Sequence, residues 1–196
     1  MRHNVVRIAC LYAMIGISPV YAAEYIASHV PEARLVGQGR AQVFLWDVYD
    51  AKLYAPQGIY AENKPFALEL SYLQKIAGRE IADHAVREMR RLGYKNEKDL
   101  LSWHRTMSDI FPNVIPGSTI AGISTPDGAT IFYEDGEAIG RIDAPHFGKE
   151  FFRIWLDAGT STPELRYDLL NIDSTMEGHR DEASINNHRS GGRHDN

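Results

Sequence analysis

Three side chains of this chain could together hold an acidic ligand: Arg40, Tyr49 and Tyr72. Arg40 follows Gly37-Gln38-Gly39, and its planar guanidinium can grip a carboxylate through two parallel hydrogen bonds. A tyrosine offers an apolar ring and one hydroxyl, which suits the wall of an apolar cleft. By residue type alone these three are possible ligand contacts. Two other interpretations stay open: Arg40 is a solvent-exposed strand residue, and both tyrosines are half-buried with hydrated hydroxyls.

Other side chains do not combine into a metal site or a catalytic site. His84 and Glu88 lie four residues apart, as do His146 and Glu150, but neither pair has a second histidine at ligand spacing. Both are therefore predicted to be surface pairs. The sequence has no Gly-x-Ser-x-Gly elbow, and its Gly-Gln-Gly segment lacks the third glycine of a dinucleotide site. We predict no metal and no cofactor, and no catalytic residue is identified.

The first 22 residues have the three-part layout of a secretory signal peptide. Arg2, His3 and Arg7 form a basic start, an apolar run follows over residues 8–17, and Val20-Tyr21-Ala22 resembles a cleavage site. The run is too short for a membrane span, which needs about 20 apolar residues. We predict cleavage after Ala22, and a mature protein that is periplasmic or secreted without a membrane span.

The composition limits the possible partners. The chain has 21 basic and 26 acidic side chains and a formal net charge of −5, which loss of Arg2 and Arg7 with the signal peptide would bring to −7. Nucleic acid is disfavoured as a partner, because phosphate binding needs an excess of Lys and Arg. The single cysteine, Cys10, lies in the predicted signal peptide, so no disulfide is expected in the mature protein. No particular oligomeric state is predicted.

Strand signals occur in two blocks. Residues 34–54 are rich in Val, Phe, Trp and Tyr, and are predicted to form two strands, or one strand bent at its glycines. Residues 66–73 place apolar side chains on one face at period two. Two Asp-Gly turns then join three strands at 118–124, 129–133 and 138–142.

Helix signals separate and follow these strands. Apolar residues at helical spacing predict two helices between the two blocks and two more after the last strand. Asn96, Asp143 and Thr162 are the predicted N-terminal caps of the last three. Residues 23–172 therefore form one α+β domain with an antiparallel sheet and helices on one face. The polar residues 173–196 are predicted to be disordered.

Four segments in this order resemble the chalcone isomerase family, and more closely its bacterial exported branch of chalcone isomerase-like proteins. They are Val36-Gly37-Gln38-Gly39-Arg40, residues 46–56, residues 111–117, and residues 151–156 followed by Pro163-Glu164-Leu165-Arg166. The resemblance implies an open-faced β-sandwich, in which a large antiparallel sheet is backed by a layer of helices with a cleft between them. This architecture agrees with the α+β class predicted from the patterns.

The resemblance implies two kinds of function. Plant members of the family close a chalcone into a flavanone, whereas other members bind fatty acids and catalyse nothing known. The arginine that supplies positive charge in the enzymes corresponds to Arg40. The threonine and tyrosine that orient donors correspond to positions near Tyr49 and at Ile81, and a polar residue that contacts substrate corresponds to Ile154. Because isoleucine cannot donate a hydrogen bond, the catalytic donors are largely missing.

We therefore expect an exported protein that binds a small hydrophobic acid, resembling a fatty acid, between sheet and helices. For this ligand the resemblance implies Arg40, Tyr49 and Tyr72 as the ligand-binding residues, with the acid group on Arg40, and no catalysis is expected. One alternative is an active intramolecular lyase, which is an isomerase, acting on another substrate. The other is a structural or partner-binding domain whose cleft is filled by its own side chains.

Overall fold

The computed structural model describes residues 23–43 and 45–172, which form six strands and five helices. In chain order they are α1 (Glu24–Ala27), β1 (Ala33–Val43), β2 (Trp46–Pro56), β3 (Phe66–Tyr72), α2 (Gly78–Arg91), α3 (Glu97–Ile110), β4 (Thr119–Ser124), β5 (Thr130–Glu134), β6 (Glu137–Ile142), α4 (Phe147–Leu156) and α5 (Pro163–Leu170). The predicted signal peptide (1–22) and the predicted tail (173–196) lie outside the described residues.

The six strands form one antiparallel sheet in the order β1-β2-β3-β4-β5-β6. Each strand pairs with its neighbour along the chain, and β3 and β4 do so although α2 and α3 lie between them in sequence. Residues 34–54 form two strands rather than one bent strand, and the chain reverses between Val43 and Trp46. The two Asp-Gly turns join β4 to β5 and β5 to β6 as predicted.

The two faces of the sheet have different partners. Alternate residues of β3 (Phe66, Leu68, Leu70 and Tyr72) belong to the main core, which also contains the buried side chains of α2, α3, α4 and α5. On the other face, Tyr54, Ala67 and Ile123 form a smaller cluster with residues of the α1 region. The α+β class and the open-faced sandwich are therefore confirmed. No helix among the described residues has the length and apolar character that crossing a membrane requires.

Most helix boundaries follow the predicted signals. The side chain of Asn96 accepts hydrogen bonds from the backbone N–H groups of Lys98 and Asp99, so it caps α3 as predicted. Helix α5 begins with Pro163 after Thr162, although the Thr162 side chain makes no capping hydrogen bond.

The predicted cap of α4 is wrong. Helix α4 begins at Phe147, preceded by His146 in a left-handed conformation with φ of 65°. The carboxylate of Asp143 instead accepts a hydrogen bond from Nε of Arg141 at 2.7 Å. This charge-assisted bond holds Asp143 at the end of β6, away from the first turn of the helix.

Helix α5 lies directly on β1 because two glycines leave room for it. A Cβ on Gly37 would lie 2.0 Å from the carbonyl oxygen of Asp168, and a Cβ on Gly39 would lie 2.6 Å from its carboxylate. A register shift also occurs between Leu35 and Gly37, so the glycines mark a β-bulge within β1. This contact places α5 over the first strand and sets the position of its last residues.

Candidate functional site

A cleft of about 940 Å³ opens at one end of the sandwich. The segment before β3, the turn between β4 and β5, and helices α4 and α5 form its walls. Its floor is apolar and consists of the rings of Phe66 and Phe152, which are 4.7 Å apart and each only 3% exposed, with the ring of Tyr60 5.1 Å from that of Phe66. Leu156 and Leu170 complete the floor.

Charged side chains surround this floor. The cleft is lined by four cationic side chains (Lys64, Lys149, Arg153 and Arg166) and by three carboxylates (Glu62, Glu150 and Asp157). Cations therefore outnumber carboxylates at this site, although the whole chain carries a formal charge of −5. An acidic ligand would find a more favourable potential here than over most of the protein surface.

Arg153 is fixed by the protein itself. Its Nε donates to Asp157 and its Nη1 to Glu150, both at 2.7 Å, and its Nη2 donates to the carbonyl of Leu92 at 3.2 Å. The hydrogen bond to Asp157 raises the pKa of Arg153. Although burial opposes it, the N–H of Gly159 and the guanidinium hold the pKa of Asp157 below its usual value. Arg153 therefore has a structural role in the wall of the cleft.

Two lysines at the mouth of the cleft form fewer ion pairs than Arg153 does. Within the described part of the chain Lys64 forms no ion pair, and Lys149 approaches the carboxylate of Glu62 at 3.5 Å. Both lysines have flexible stems and strongly charged ends. Their ammonium groups are therefore the ones best able to pair with the acid group of a ligand.

The prediction that Arg40 lies in a cleft between the sheet and the helices is wrong. Its side chain lies on the face of the sheet opposite to α2–α5. Arg40 pairs across the strands with Asp50, whereas its neighbour Ala41 belongs to the main core. Successive side chains of a strand point to opposite faces, so Ala41 takes the inward direction and Arg40 the outward one. The Arg40 side chain is 49% exposed.

Two carboxylates occupy the Arg40 guanidinium. Its Nε and Nη2 donate to the carboxylate of Asp50 at 2.6 and 3.0 Å, and its Nη1 donates to Asp47 at 2.9 Å. These hydrogen bonds, led by those to Asp50, raise the pKa of Arg40. A depression of about 370 Å³ beside Arg40 is also lined by Asp50 and Lys52, on the same outward face.

Tyr49 and Tyr72 lie on the inward face, packed against each other and under α4. Their ring centres are 5.9 Å apart with an edge-on geometry, and Nε1 of Trp155 donates to the Tyr49 hydroxyl at 2.8 Å. Burial raises the pKa of Tyr49 to about 12 and also raises that of Tyr72. The three candidate residues are thus not brought together, and the role of each in binding stays a prediction.

Comparison with known proteins identifies the family. A family model described as chalcone isomerase-like matches residues 19–171. The chain belongs to the chalcone isomerase-like family. Among solved structures, it is similar to that of a fatty-acid binding protein of Arabidopsis thaliana, with 17% identity and a TM-score of 0.56. That match covers 72% of this chain and 88% of the plant protein, and at this identity it shows a shared fold. No curated protein matches the sequence.

The two positions that the sequence resemblance matched to polar groups of the enzymes are aliphatic in this structure. Ile154 is 3% exposed within the main core, and Ile81 packs against the same core from α2. Neither side chain can donate a hydrogen bond to a developing enolate. The helix layer of this chalcone isomerase-like chain therefore presents carbon atoms at both positions.

In the two histidine–glutamate pairs the histidines are exposed but both glutamates are buried. Glu88 is buried and accepts hydrogen bonds from Arg91 and Ser161, at 2.9 and 2.8 Å. Glu150 is buried beside Arg153, as described above. The prediction for these glutamates was therefore wrong, because arginines three residues later on the same helices stabilise the carboxylates in partly buried positions. No cluster of three or more metal-ligating side chains occurs among the described residues.

None of the predicted site residues lines the cleft. A usable signal was present in α4, where Lys149, Phe152, Arg153 and Leu156 recur at spacings of three and four and so share one helix face. Tyr60 and Lys64 carried no comparable signal, because they lie in an irregular connection between β2 and β3. Only the fold brings that connection to α4.

Proposed function

We propose that this chain binds a small hydrophobic acid of the fatty-acid type in the cleft at the end of the sandwich. The observation that supports this proposal most directly is the apolar floor of Phe66 and Phe152 below a mouth that holds Lys64 and Lys149. Small-molecule sites are typically apolar clefts of about 300–1,000 Å³ with a few polar groups that orient the ligand. The cleft of about 940 Å³ falls in that range of volume, and its lining is of mixed polarity.

The family relationship supports the same ligand class. The similar structure from Arabidopsis thaliana is that of a fatty-acid binding protein, and it shares the fold of this chain. Its name by itself does not locate a site in this protein. The choice of the end cleft rests on the rings, the volume and the charges that this chain places there.

The proposed orientation follows from the distribution of charge. The apolar part of the ligand lies on Phe66 and Phe152, and its carboxylate lies near Lys64 and Lys149. The pair between Lys149 and Glu62 is exposed and 3.5 Å long, so it contributes little and yields readily to a competing carboxylate. Among residues 23–43 and 45–172, Lys64 has no such partner to give up.

We propose binding without catalysis. Ring closure of the chalcone type requires fixed donors around the developing enolate oxygen, and each donor is typically worth about 3 kcal/mol. Ile81 and Ile154 stand where the family resemblance places two of the polar groups. The loss of both leaves the chain able to hold a ligand but poorly equipped to stabilise a transition state.

A displacement titration tests the proposed function. The protein is loaded with a fluorescent fatty acid and titrated with palmitate and with hexadecanol, which has the same tail and no charge. We expect saturable one-to-one displacement by palmitate. The double variant Lys64→Glu/Lys149→Glu should bind palmitate about tenfold more weakly, a loss of roughly 1.4 kcal/mol, and should bind hexadecanol unchanged.

The matched control is the double variant Lys95→Glu/Lys98→Glu, which reverses the charges of two exposed lysines that do not line the cleft. Absence of palmitate binding to the wild-type protein would refute the proposed function. An equal loss in the Lys95→Glu/Lys98→Glu variant would show that the effect is one of net charge rather than of the cleft. The Arg40→Ala variant belongs in the same titration, because the sequence predicted a contact between Arg40 and the acid. Because the Arg40 side chain points away from the helices, we expect the palmitate affinity of this variant to be unchanged.

We also propose that the protein is exported. The support is the signal-peptide pattern of residues 1–22, followed directly by α1 at Glu24. N-terminal sequencing of the protein recovered from the periplasm or the culture medium should begin at Ala23. Recovery of the full-length chain in the cytosol alone would refute this proposal.

A further inference from the structure

A further depression adjoins the cleft at Tyr60 and Leu170. It has a volume of about 390 Å³ and is called here the distal groove. Its lining consists of Val36, Gly58, Ile59, Tyr60, Leu170, Asn171 and Ile172. Tyr60 and Leu170 also line the cleft, so the two spaces meet at these side chains.

The distal groove has no charged side chain in its lining, whereas seven line the cleft. Ile59, in the connection after β2, is 69% exposed on one side of the groove. Contiguous exposed apolar patches mark binding surfaces, and Ile59 shares the lining of the groove with Val36, Leu170 and Ile172. Polarity therefore decreases from the mouth lysines, across Tyr60 and Leu170, to Ile59.

We propose that the distal groove binds the methyl end of a long acyl chain whose carboxylate lies at the mouth lysines. This inference rests on the proposed function and adds a direction and a length to it. The acyl chain crosses Tyr60 and Leu170 and ends against Val36, Ile59 and Ile172. Adjacency to the cleft identifies the occupant, because Tyr60 and Leu170 line both spaces.

The arrangement makes the site selective for chain length. A short acid such as octanoate is held by the charged cleft alone, and its affinity does not depend on the distal groove. A long acid such as palmitate reaches Ile59 and gains affinity there. Each methylene group removed from water is worth roughly a fourfold gain in affinity, so a few groups in the distal groove give a large preference.

The test measures displacement by octanoate, laurate and palmitate for the wild-type protein and for Ile59→Asp, Ile59→Ser and a control. The control is Leu101→Asp, because Leu101 is 57% exposed on α3 and lines neither space. We expect Ile59→Asp to weaken palmitate binding about tenfold, since a carboxylate would have to be desolvated under the acyl chain. Ile59→Ser should give a smaller loss, and octanoate should stay within about twofold of wild type.

The outcomes separate this inference from the proposed function. Wild-type binding of palmitate together with an unchanged preference for long chains in Ile59→Asp would overturn the distal groove alone. An equal loss with Leu101→Asp would overturn it in the same way. No binding of any acid to the wild-type protein would overturn both proposals. Native mass spectrometry of the same samples adds one more outcome: a dimer that dissociates in Ile59→Asp would assign the distal groove to an interface between copies and refute the acyl-chain assignment.

Discussion

Replacing Gly37 by alanine should displace α5 from the sheet. The new Cβ would lie 2.0 Å from the carbonyl oxygen of Asp168 and 2.6 Å from that of Leu169, whereas ordinary contacts of this kind begin at 3.4 Å. Both obstacles are backbone atoms, so no side chain can rotate away to make room. Overpacking of this kind costs about 3 kcal/mol or more when the surroundings are rigid.

The measurable consequences follow from the size of the domain. A loss of about 3 kcal/mol should lower the Tm by about 6–12 °C. Because Leu170 at the end of α5 lines both the cleft and the distal groove, palmitate affinity should also fall. Thermal unfolding followed by circular dichroism, and the displacement titration, measure these two effects on the same preparation.

Gly117→Ala is the matched control. Gly117 has a φ of 98°, and a Cβ there would meet nothing within 4 Å. Alanine at this position therefore lowers the stability only by the penalty of a left-handed backbone, about 1–2 kcal/mol, and leaves α5 in place. If Gly37→Ala is no more destabilising than Gly117→Ala, or if it leaves palmitate binding intact, the close packing of α5 on β1 is refuted.

Three further predictions concern polar groups beneath and beside α4. Arg153→Met should cost about 2 kcal/mol in urea unfolding, because the Glu150 carboxylate loses its partner while only 10% exposed; an unchanged midpoint would contradict this. In a double-mutant cycle, Tyr49→Phe and Trp155→Phe should show a coupling of about 1 kcal/mol from their shared hydrogen bond, and additive effects would exclude it. Stability should fall as pH rises from about 10 towards 12, since tyrosines in the unfolded chain ionise near 10. Tyr49, with a pKa of about 12, stays protonated in the fold over this range, and Tyr49→Phe should make the fall shallower.

Local signals explain which parts of the fold could be predicted. Asn96 caps α3 through its own side chain, and the Asp-Gly turns bend β4 to β6 within a few residues. The reversal between β1 and β2 carries no such signal, because large apolar residues such as Leu45 and Trp46 stand beside it instead of Gly, Asn or Asp. The sequence therefore left open whether residues 34–54 form one strand or two.

The direction of Arg40 depends on information that no short pattern contains. Strand β1 has two irregularities, one between Leu35 and Gly37 and one between Ala41 and Gln42. Each of them changes the phase of the inward and outward alternation, so counting along the strand cannot assign a face. The cleft is harder still to predict, because its walls come from segments that are far apart in sequence and meet only in the folded chain.

The placement of Arg40 also bears on where an acidic ligand would bind. A carboxylate arriving at Arg40 would have to replace Asp50, which already holds the guanidinium through two hydrogen bonds, and would then leave Asp50 and Asp47 close to each other without their cation. Exchanging one carboxylate for another at an exposed site gains little, and the repulsion that remains opposes it. At the cleft, Lys64 has no ion pair among the described residues to break, and the apolar floor adds the burial of the acyl chain. The ion pairs that Arg40 already makes therefore disfavour it as the partner of the acid. The apolar floor beside Lys64 and Lys149 favours these two lysines instead.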